Sequence, residues 1–299
     1  MIGGIDLGGT KIEARAFDLQ LREKDRRRIP TPNESYTDLL DALQDQVDWL
    51  TGHGEILAIG LGSPGLIHPD TGVMLTANLP VTGHKLGHDL SKRVGRTVHL
   101  INDCRAATLS EAVMGAAKGA RNVVGLTLGT GVAGGHVVEG ALVPDANGQH
   151  GEYGHLPIPA HFAQRHALPL HTCGCGLQGC FETYLAGPGL ARLAEHLTGR
   201  AASPEIIMTE TAYENVRGVW LDLAGDLISV IQRTADPDII VLSGGLGMAE
   251  DLPDMLAKAA LGKGLNGTQL PKIVQAEHGA ASGALGAALF AARAEGIDR

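Results

Sequence analysis

Aromatic side chains make up only 3% of this sequence, too few for a broad stacking surface for bases or peptides. Cysteine is equally sparse: there are four, three of them between positions 173 and 180, which argues against a disulfide framework. Cationic charge is in deficit, with 24 Lys and Arg against 33 Asp and Glu and a net charge of -9. That balance disfavours nucleic acid and anionic membrane as partners. No apolar run approaches the roughly 18 residues of a membrane span. Met1 opens directly on a strand pattern without a signal-peptide profile, so a cytoplasmic location is expected.

What the chain does have is glycine, 42 residues in 299, within a composition that is 44% hydrophobic and 19% charged. This is a globular composition, long enough for one large domain or two ordinary ones, each with its own core. The glycines mark the organisation. Residues 1–6 read as a strand, Leu7-Gly-Gly-Thr-Lys11 as a turn and residues 11–18 as a second strand, with 21–29 as a third. Ser35 is placed to cap a helix through Thr51, because Tyr36, Leu39, Leu40, Leu43, Val47 and Leu50 recur at helical spacing. About 120 residues later the pattern returns: a strand at 122–128, a glycine-rich turn at 129–135, and a strand at 136–139. A buried strand at 239–242 then ends in Gly244 and Gly245. Two such hairpins suggest a duplicated fold with nucleotide held by both.

The turns differ from a Walker loop, which opens a helix and carries Gly-Lys-Ser/Thr. Their amides and hydroxyls can nevertheless cradle phosphate oxygens, and Asp6 beside the first could hold Mg2+ through water. Either turn taken alone also fits an ordinary hairpin. Further candidates lie at strand ends, where α/β sheets commonly face their ligands: Gly62-Ser-Pro-Gly65, the turn carrying Asn78, and Asn102-Asp103. Asp103 suits a base that takes a proton from a hydroxyl, and equally a helix N-cap; the two roles are compatible.

The densest cluster is Gly151-Glu-Tyr-Gly-His155 with Cys173-Gly-Cys175 and Gly179-Cys180-Phe-Glu182. Glycines between the cysteines let the backbone fold back so that thiolates converge on one point. A tetrahedral site needs a fourth ligand, and both His155 and His171 are at hand. Glu152 and Glu182 flank the cluster, as if the metal fixed two acids in the floor of a site.

Together these motifs resemble the ROK family of sugar kinases and regulators, within the actin-like ATPase superfamily, over nearly the whole chain. The most specific part is Gly-Glu-Tyr-Gly-His155 followed by Cys-Gly-Cys-Gly-Leu-Gln-Gly-Cys-Phe-Glu182. The resemblance implies an α/β, two-lobed actin-like (ribonuclease H-like) fold, with residues 1–117 and 281–299 in a small lobe and 118–280 in a larger one. It implies ATP with Mg2+ as cofactors, a structural Zn2+ on His155, Cys173, Cys175 and Cys180, and Asp103 as the base. Gly65, Asn78, Asn102, Asp103, Glu152, His155 and Glu182 would surround a sugar. Asp6, Gly8, Gly9, Thr10, Lys11, Gly129, Thr130, Gly131, Gly244 and Gly245 would serve the nucleotide. The expected acceptor is the 6-hydroxyl of N-acetyl-D-glucosamine. Fructose, glucose or N-acetylmannosamine are the alternatives, and a sugar-responsive regulator is the non-enzyme alternative. A homodimer is expected. Cys104-Arg105 departs from the family, which more often has small or amide residues there, and this could alter the neighbouring site wall.

Overall fold

The computed structural model describes residues 1–297; positions 298 and 299, placed with the last helix by the sequence, lie outside the described residues. By its internal contacts the chain divides into two compact units. Unit 1 comprises Met1–Gly115, Gly140–His150 and the C-terminal stretch from Ala280, and unit 2 comprises Ala116–Glu139 and Gly151–Gly279.

Unit 1 holds β1 (Ile2–Leu7), β2 (Lys11–Phe17), β3 (Glu23–Pro30), α1 (Tyr36–Thr51), β4 (Ala58–Ser63), β5 (Leu66–Ile67), β6 (Met74–Leu75), α2 (Leu86–Val94), β7 (His99–Asn102) and α3 (Asp103–Val113). The main sheet runs β3-β2-β1-β4-β7, antiparallel through the first three strands and parallel from β1 to β7. On one face Ile5, Leu7, Ile12, Ile59 and Leu61 share a core with Leu39, Leu43, Val47 and Leu50 of α1. Ser35 caps that helix, its Oγ accepting from the Asp38 amide at 3.1 Å.

A later helix, which becomes α11 (Ser282–Ala294) once unit 2 is counted, covers the other face. Its alanines come so close that strand glycines are obligatory. A Cβ on Gly4 would lie 2.0 Å from the Ala284 carbonyl oxygen, and one on Gly60 1.8 Å from that of Ala287. Six residues of this helix are alanine or glycine among its buried positions, which is what permits backbone-to-sheet packing at that range.

Unit 2 contains β8 (Asn122–Leu128) and β9 (Val132–Val138), followed in the chain by β10 (Ala141–Leu142), which belongs to the unit 1 stretch. Then come α4 (Ala160–Arg165), α5 (Glu182–Leu185), α6 (Gly187–Thr198), α7 (Pro204–Thr209), α8 (Glu214–Ala235), β11 (Ile239–Ser243), α9 (Gly244–Gly247), α10 (Leu252–Ala260) and β12 (Lys272–Gln275). Within the unit the strands run β9-β8-β11-β12, an antiparallel hairpin followed by parallel pairs. Val124, Leu126, Ile240 and Leu242 pack with Trp220, Leu223, Leu227 and Ile231 of α8. The Trp220 indole donates to the Leu185 carbonyl at 3.1 Å, satisfying its one buried polar atom.

Three expectations need correction. The second hairpin turn is shorter than residues 129–135, because Leu128 pairs directly with Val132 and places Gly134 and Gly135 inside β9. Gly134 answers crowding and not turning: a Cβ there would sit 1.9 Å from the Gly125 carbonyl oxygen. The strand read as ending in Asn102-Asp103 is β7, which stops at Asn102; Asp103 opens α3, and Asn102 caps it by accepting from the Arg105 amide at 3.0 Å. The stretch 140–150, placed in the larger lobe by the sequence, keeps its contacts with unit 1. Among the described residues no helix is long and apolar enough to cross a membrane.

Candidate active site

In unit 1 the first glycine turn is closed by a hydrogen bond from the Gly8 amide to the Lys11 carbonyl at 2.9 Å. Side chains from the following segment brace it: Thr31 Oγ1 donates to the Gly8 carbonyl at 2.7 Å, and Asn33 Nδ2 to that of Gly9 at 2.8 Å. With these carbonyls occupied from behind, the turn keeps one fixed shape. Among the described residues nothing lies within 4 Å of where a Cβ on Gly9 would be.

Asp6 near the end of β1 and Asp103, the first residue of α3 just past β7, flank Gly62 of β4. A Cβ on Gly62 would lie 3.8 Å from Asp6 Oδ1 and 3.6 Å from the Asp103 Cα. Burial, followed by the charges of Asp103 and Glu13, pushes the Asp6 carboxyl up to about 7. Asp103 is raised as well, by burial, against the opposing pull of hydrogen bonds from the Cys104 amide and thiol. The Cys104 amide donates to Asp103 Oδ1 at 2.8 Å. Two acids whose ionisation is disfavoured, one near the carboxyl end of β1 and one just past that of β7, on either side of β4, suit proton acceptance and cation binding.

Asn102 is committed twice, since besides capping α3 its Nδ2 donates to the Gly65 carbonyl at 3.1 Å. It therefore fixes Gly65, another candidate, in place. Asn78 is exposed on a loop tied by Thr82 Oγ1 donating to the Thr76 carbonyl at 2.8 Å. Lys11 is close enough to Asp6 for its charge to favour the ionised carboxylate.

In unit 2, one ligand atom from each of His155, Cys173, Cys175 and Cys180 lies within 4.8 Å of the others. Zn–S bonds of about 2.3 Å and a Zn–N bond of about 2.05 Å in a tetrahedron require separations of about 3.8 and 3.6 Å. The Cys175 and Cys180 sulfurs are 3.7 Å apart, and the Cys173 sulfur is 3.5 Å from His155 Nδ1. The group thus fits zinc. His171 is not part of this four-membered group; its ring packs 5.6 Å from that of Tyr184. Burial pushes the Cys180 thiol up to about 12, which a divalent cation among the sulfurs would reverse by favouring the thiolate.

The histidine turns its second nitrogen toward an acid: His155 Nε2 is 3.4 Å from Glu152 Oε2. A carboxylate beside the imidazole nitrogen not directed at the sulfurs fixes the ring's orientation and tautomer. Glu182 touches both neighbouring features. Its Oε1 accepts from the Cys173 thiol at 3.7 Å, and its Oε2 accepts from the Val132 amide at 2.9 Å, just beyond the second glycine turn. The metal loop, the acids Glu152 and Glu182, and the turn Gly129–Gly131 are therefore one assembly.

That turn is held by the Gly129 amide donating to the Gly131 carbonyl at 3.0 Å and by the Gly187 amide donating to the Gly129 carbonyl at 2.8 Å. Gly129 also abuts the start of α9, where a Cβ would be 3.8 Å from both the Gly244 Cα and the Gly245 nitrogen. Alongside lies a cleft of ≈ 1010 Å³, bordered by Gly129, Thr130 and Gly245 and walled by Ala191, Met208, Leu246 and Met255. Sequence reasoning found the glycines but not these walls. Small and apolar residues on separate helices carry no signal that distinguishes a cleft lining from core.

The ROK family model matches residues 2–294. The chain is 38% identical to the N-acetylgalactosamine kinase of Shewanella sp. (strain ANA-3) over 297 residues, covering 97% of this chain and 96% of that one. It is also 38% identical to the N-acetyl-D-glucosamine kinase of Pectobacterium atrosepticum over 300 residues, covering 97% and 98%. Among solved structures, the ROK hexokinase of Thermus thermophilus superposes with a TM-score of 0.85 at 32% identity over 98% of each chain. The ROK family glucokinase of Streptomyces griseus, in complex with glucose and AMPPNP, gives 0.83 at 25% identity over 98% of this chain and 99% of that one. With the acids at the strand ends, the glycine turns and the Cys3His group on the page, these likenesses identify the fold and its lineage: the chain belongs to the ROK family.

Proposed function

We propose that this ROK-family sugar kinase transfers the γ-phosphoryl group of ATP to the 6-hydroxyl of N-acetyl-D-glucosamine, with Asp103 as the base. The observation that carries the catalytic reading is at the end of β7. Asn102 supplies the helix cap, so Asp103 is spared that duty and opens α3 just past the end of β7, with its ionisation opposed by burial. A sugar hydroxyl is a poor acid, so its proton leaves late, as attack on phosphorus develops, and a carboxylate with a raised proton affinity suits that moment. Positioning and charge neutralisation then carry most of the rate.

Gly8–Lys11 and Gly129–Gly131 would present amides and hydroxyls to the phosphates, and Asp6 would hold Mg2+ through water. A cation fits there because neighbouring acids disfavour a second bare negative charge; when bound it neutralises charge building on the phosphoryl oxygens. The ≈ 1010 Å³ cleft would take the adenosine. Gly65, Asn78, Asn102, Glu152, His155 and Glu182 would contact the sugar. His155, Cys173, Cys175 and Cys180 would bind zinc with four protein ligands and no open position, a structural role.

The substrate rests on the relative from Pectobacterium atrosepticum, and the equally similar relative from Shewanella supports N-acetylgalactosamine as a second reading. The two sugars differ only in the configuration at C4. A coupled ADP-release assay across N-acetylglucosamine, N-acetylgalactosamine, N-acetylmannosamine, glucose and fructose decides between them. N-acetylglucosamine should give the highest kcat/KM. A higher value for N-acetylgalactosamine establishes the second reading, and glucose or fructose in first place overturns both.

A further inference from the structure

Arg105 and Asp145 form an ion pair inside unit 1, with side chains only 18% and 8% exposed. Arg105 stands two residues after Asp103 on α3, and Asp145 stands in the stretch Gly140–His150. Asp145 Oδ2 accepts from the guanidinium, while Oδ1 accepts from the Gly148 amide at 2.6 Å. Gly148 has φ +72°, and a Cβ there would lie 2.5 Å from the Ile67 carbonyl oxygen, so the loop backbone presses directly on β5.

β5 begins one residue after Gly65, whose carbonyl accepts from Asn102. Asn102 in turn accepts from the Arg105 amide. The contacts close a ring that runs from the Arg105 side chain through Asp145, Gly148, β5, Gly65 and Asn102 back to the Arg105 backbone. Removing one partner of a pair this buried leaves an uncompensated charge, whereas the intact pair adds little stability over apolar residues. Its value is in fixing register.

The geometry points to Arg105 and Asp145 as positioning residues for the sugar. Their pairing locks residues 145–148 against β5, next to Gly65 and its partner Asn102, and thereby sets the shape of the acceptor side of the site. The inference rests on the proposed reading that Gly65, Asn102 and Asp103 surround the acceptor. It also explains why an arginine follows so closely after the base: a small or amide residue at 105 could not reach the loop.

The test compares wild type with Arg105→Ala, Arg105→Lys, Asp145→Asn and the double variant Arg105→Ala/Asp145→Ala. Each is assayed with the sugar wild type uses best, varying sugar and ATP separately. Arg105→Ala and Asp145→Asn should raise the sugar KM about tenfold or more and leave the ATP KM within about twofold, the pattern of lost acceptor pre-organisation. Arg105→Lys, which keeps the charge, should recover most of the loss. The double variant should be no worse than the poorer single one, as for residues that act as a unit.

An unchanged sugar KM in folded single variants overturns the inference. So does a parallel rise in both KM values, and so does a lysine variant as impaired as the alanine one. Should an alanine variant fail to fold, Asp145→Asn decides, since it keeps side-chain volume and the acceptor for Gly148. Wild type inactive toward every sugar in the panel would instead sink the kinase reading, a result independent of differences among these variants.

Discussion

In unit 1 the strand before the glycine turn ends Asp6-Leu7-Gly8, and in unit 2 the corresponding strand ends Thr127-Leu128-Gly129. Both strands enter an antiparallel hairpin, and both have a parallel neighbour on the other side, β4 in one and β11 in the other. The partners differ. Asp6 lies across from Gly62, leaving room for the charge, whereas Thr127 lies across from Ser243 and the two hydroxyls share a hydrogen bond of 2.8 Å. Repeated backbone geometry thus fixes where a ligand's phosphates could meet amides, while one residue choice per strand decides whether the position carries charge. Unit 1 carries two acids beside its turn. Unit 2 closes the same place with hydroxyls and borrows its acid, Glu182, from the metal-loop side.

The largest effect that breaks this asymmetry is expected from Asp103→Asn. It should lower kcat by roughly 10²–10⁴-fold, the range for a lost general base, while nucleotide binding by the unit 2 cleft persists. Turnover within a few-fold of wild type would remove Asp103 from the base role. Cys175→Ser comes next. Losing one zinc thiolate should release Glu152, His155 and Glu182 together, so Tm should fall and the sugar KM rise, with bound zinc measured by elemental analysis dropping in step. A zinc-free variant with unaltered sugar KM would separate the metal from the acids.

The smallest expected effect is a pH dependence. Asp6 is raised from an unfolded value of 3.8 to about 7, so between those values the folded chain holds a proton that the unfolded chain has lost. Stability contributed by this site must then fall as pH rises across that window, the reverse of a salt-bridged carboxylate. Thermal unfolding without Mg2+ should show Tm declining from pH 4 to 7 more steeply in wild type than in Asp6→Asn. Equal slopes would place the effect elsewhere.

Much of this frame was legible from residue order. Apolar alternation broken by paired glycines marks both hairpins, and three cysteines separated by glycines and followed by an acid mark the metal loop. Other parts were hidden for physical reasons. Gly134 and Gly135 resemble a turn in sequence, because glycine serves close backbone approach as readily as chain reversal. Asn102 and Asp103 are both good caps, and the choice between them depends on where β7 ends, which local propensity does not resolve. Arg105 and Asp145 are 40 residues apart, a long-range pairing with no periodic signature. The cleft walls Ala191, Met208 and Met255 meet only because α6, α7 and α10 pack around one core.

The helix that seals unit 1 also bears on how the protein is made. β1 and β4 leave the ribosome early, but the alanine-rich segment that covers them, Ser282–Ala294, is translated about 170 residues after Gly115. At about 5–20 residues per second that is a wait of roughly 10–30 s. Throughout it the glycine-lined sheet face of unit 1 is uncovered, while all of unit 2 is being synthesised and can already fold. The sheet begun first therefore waits for its covering helix until unit 2 has been translated.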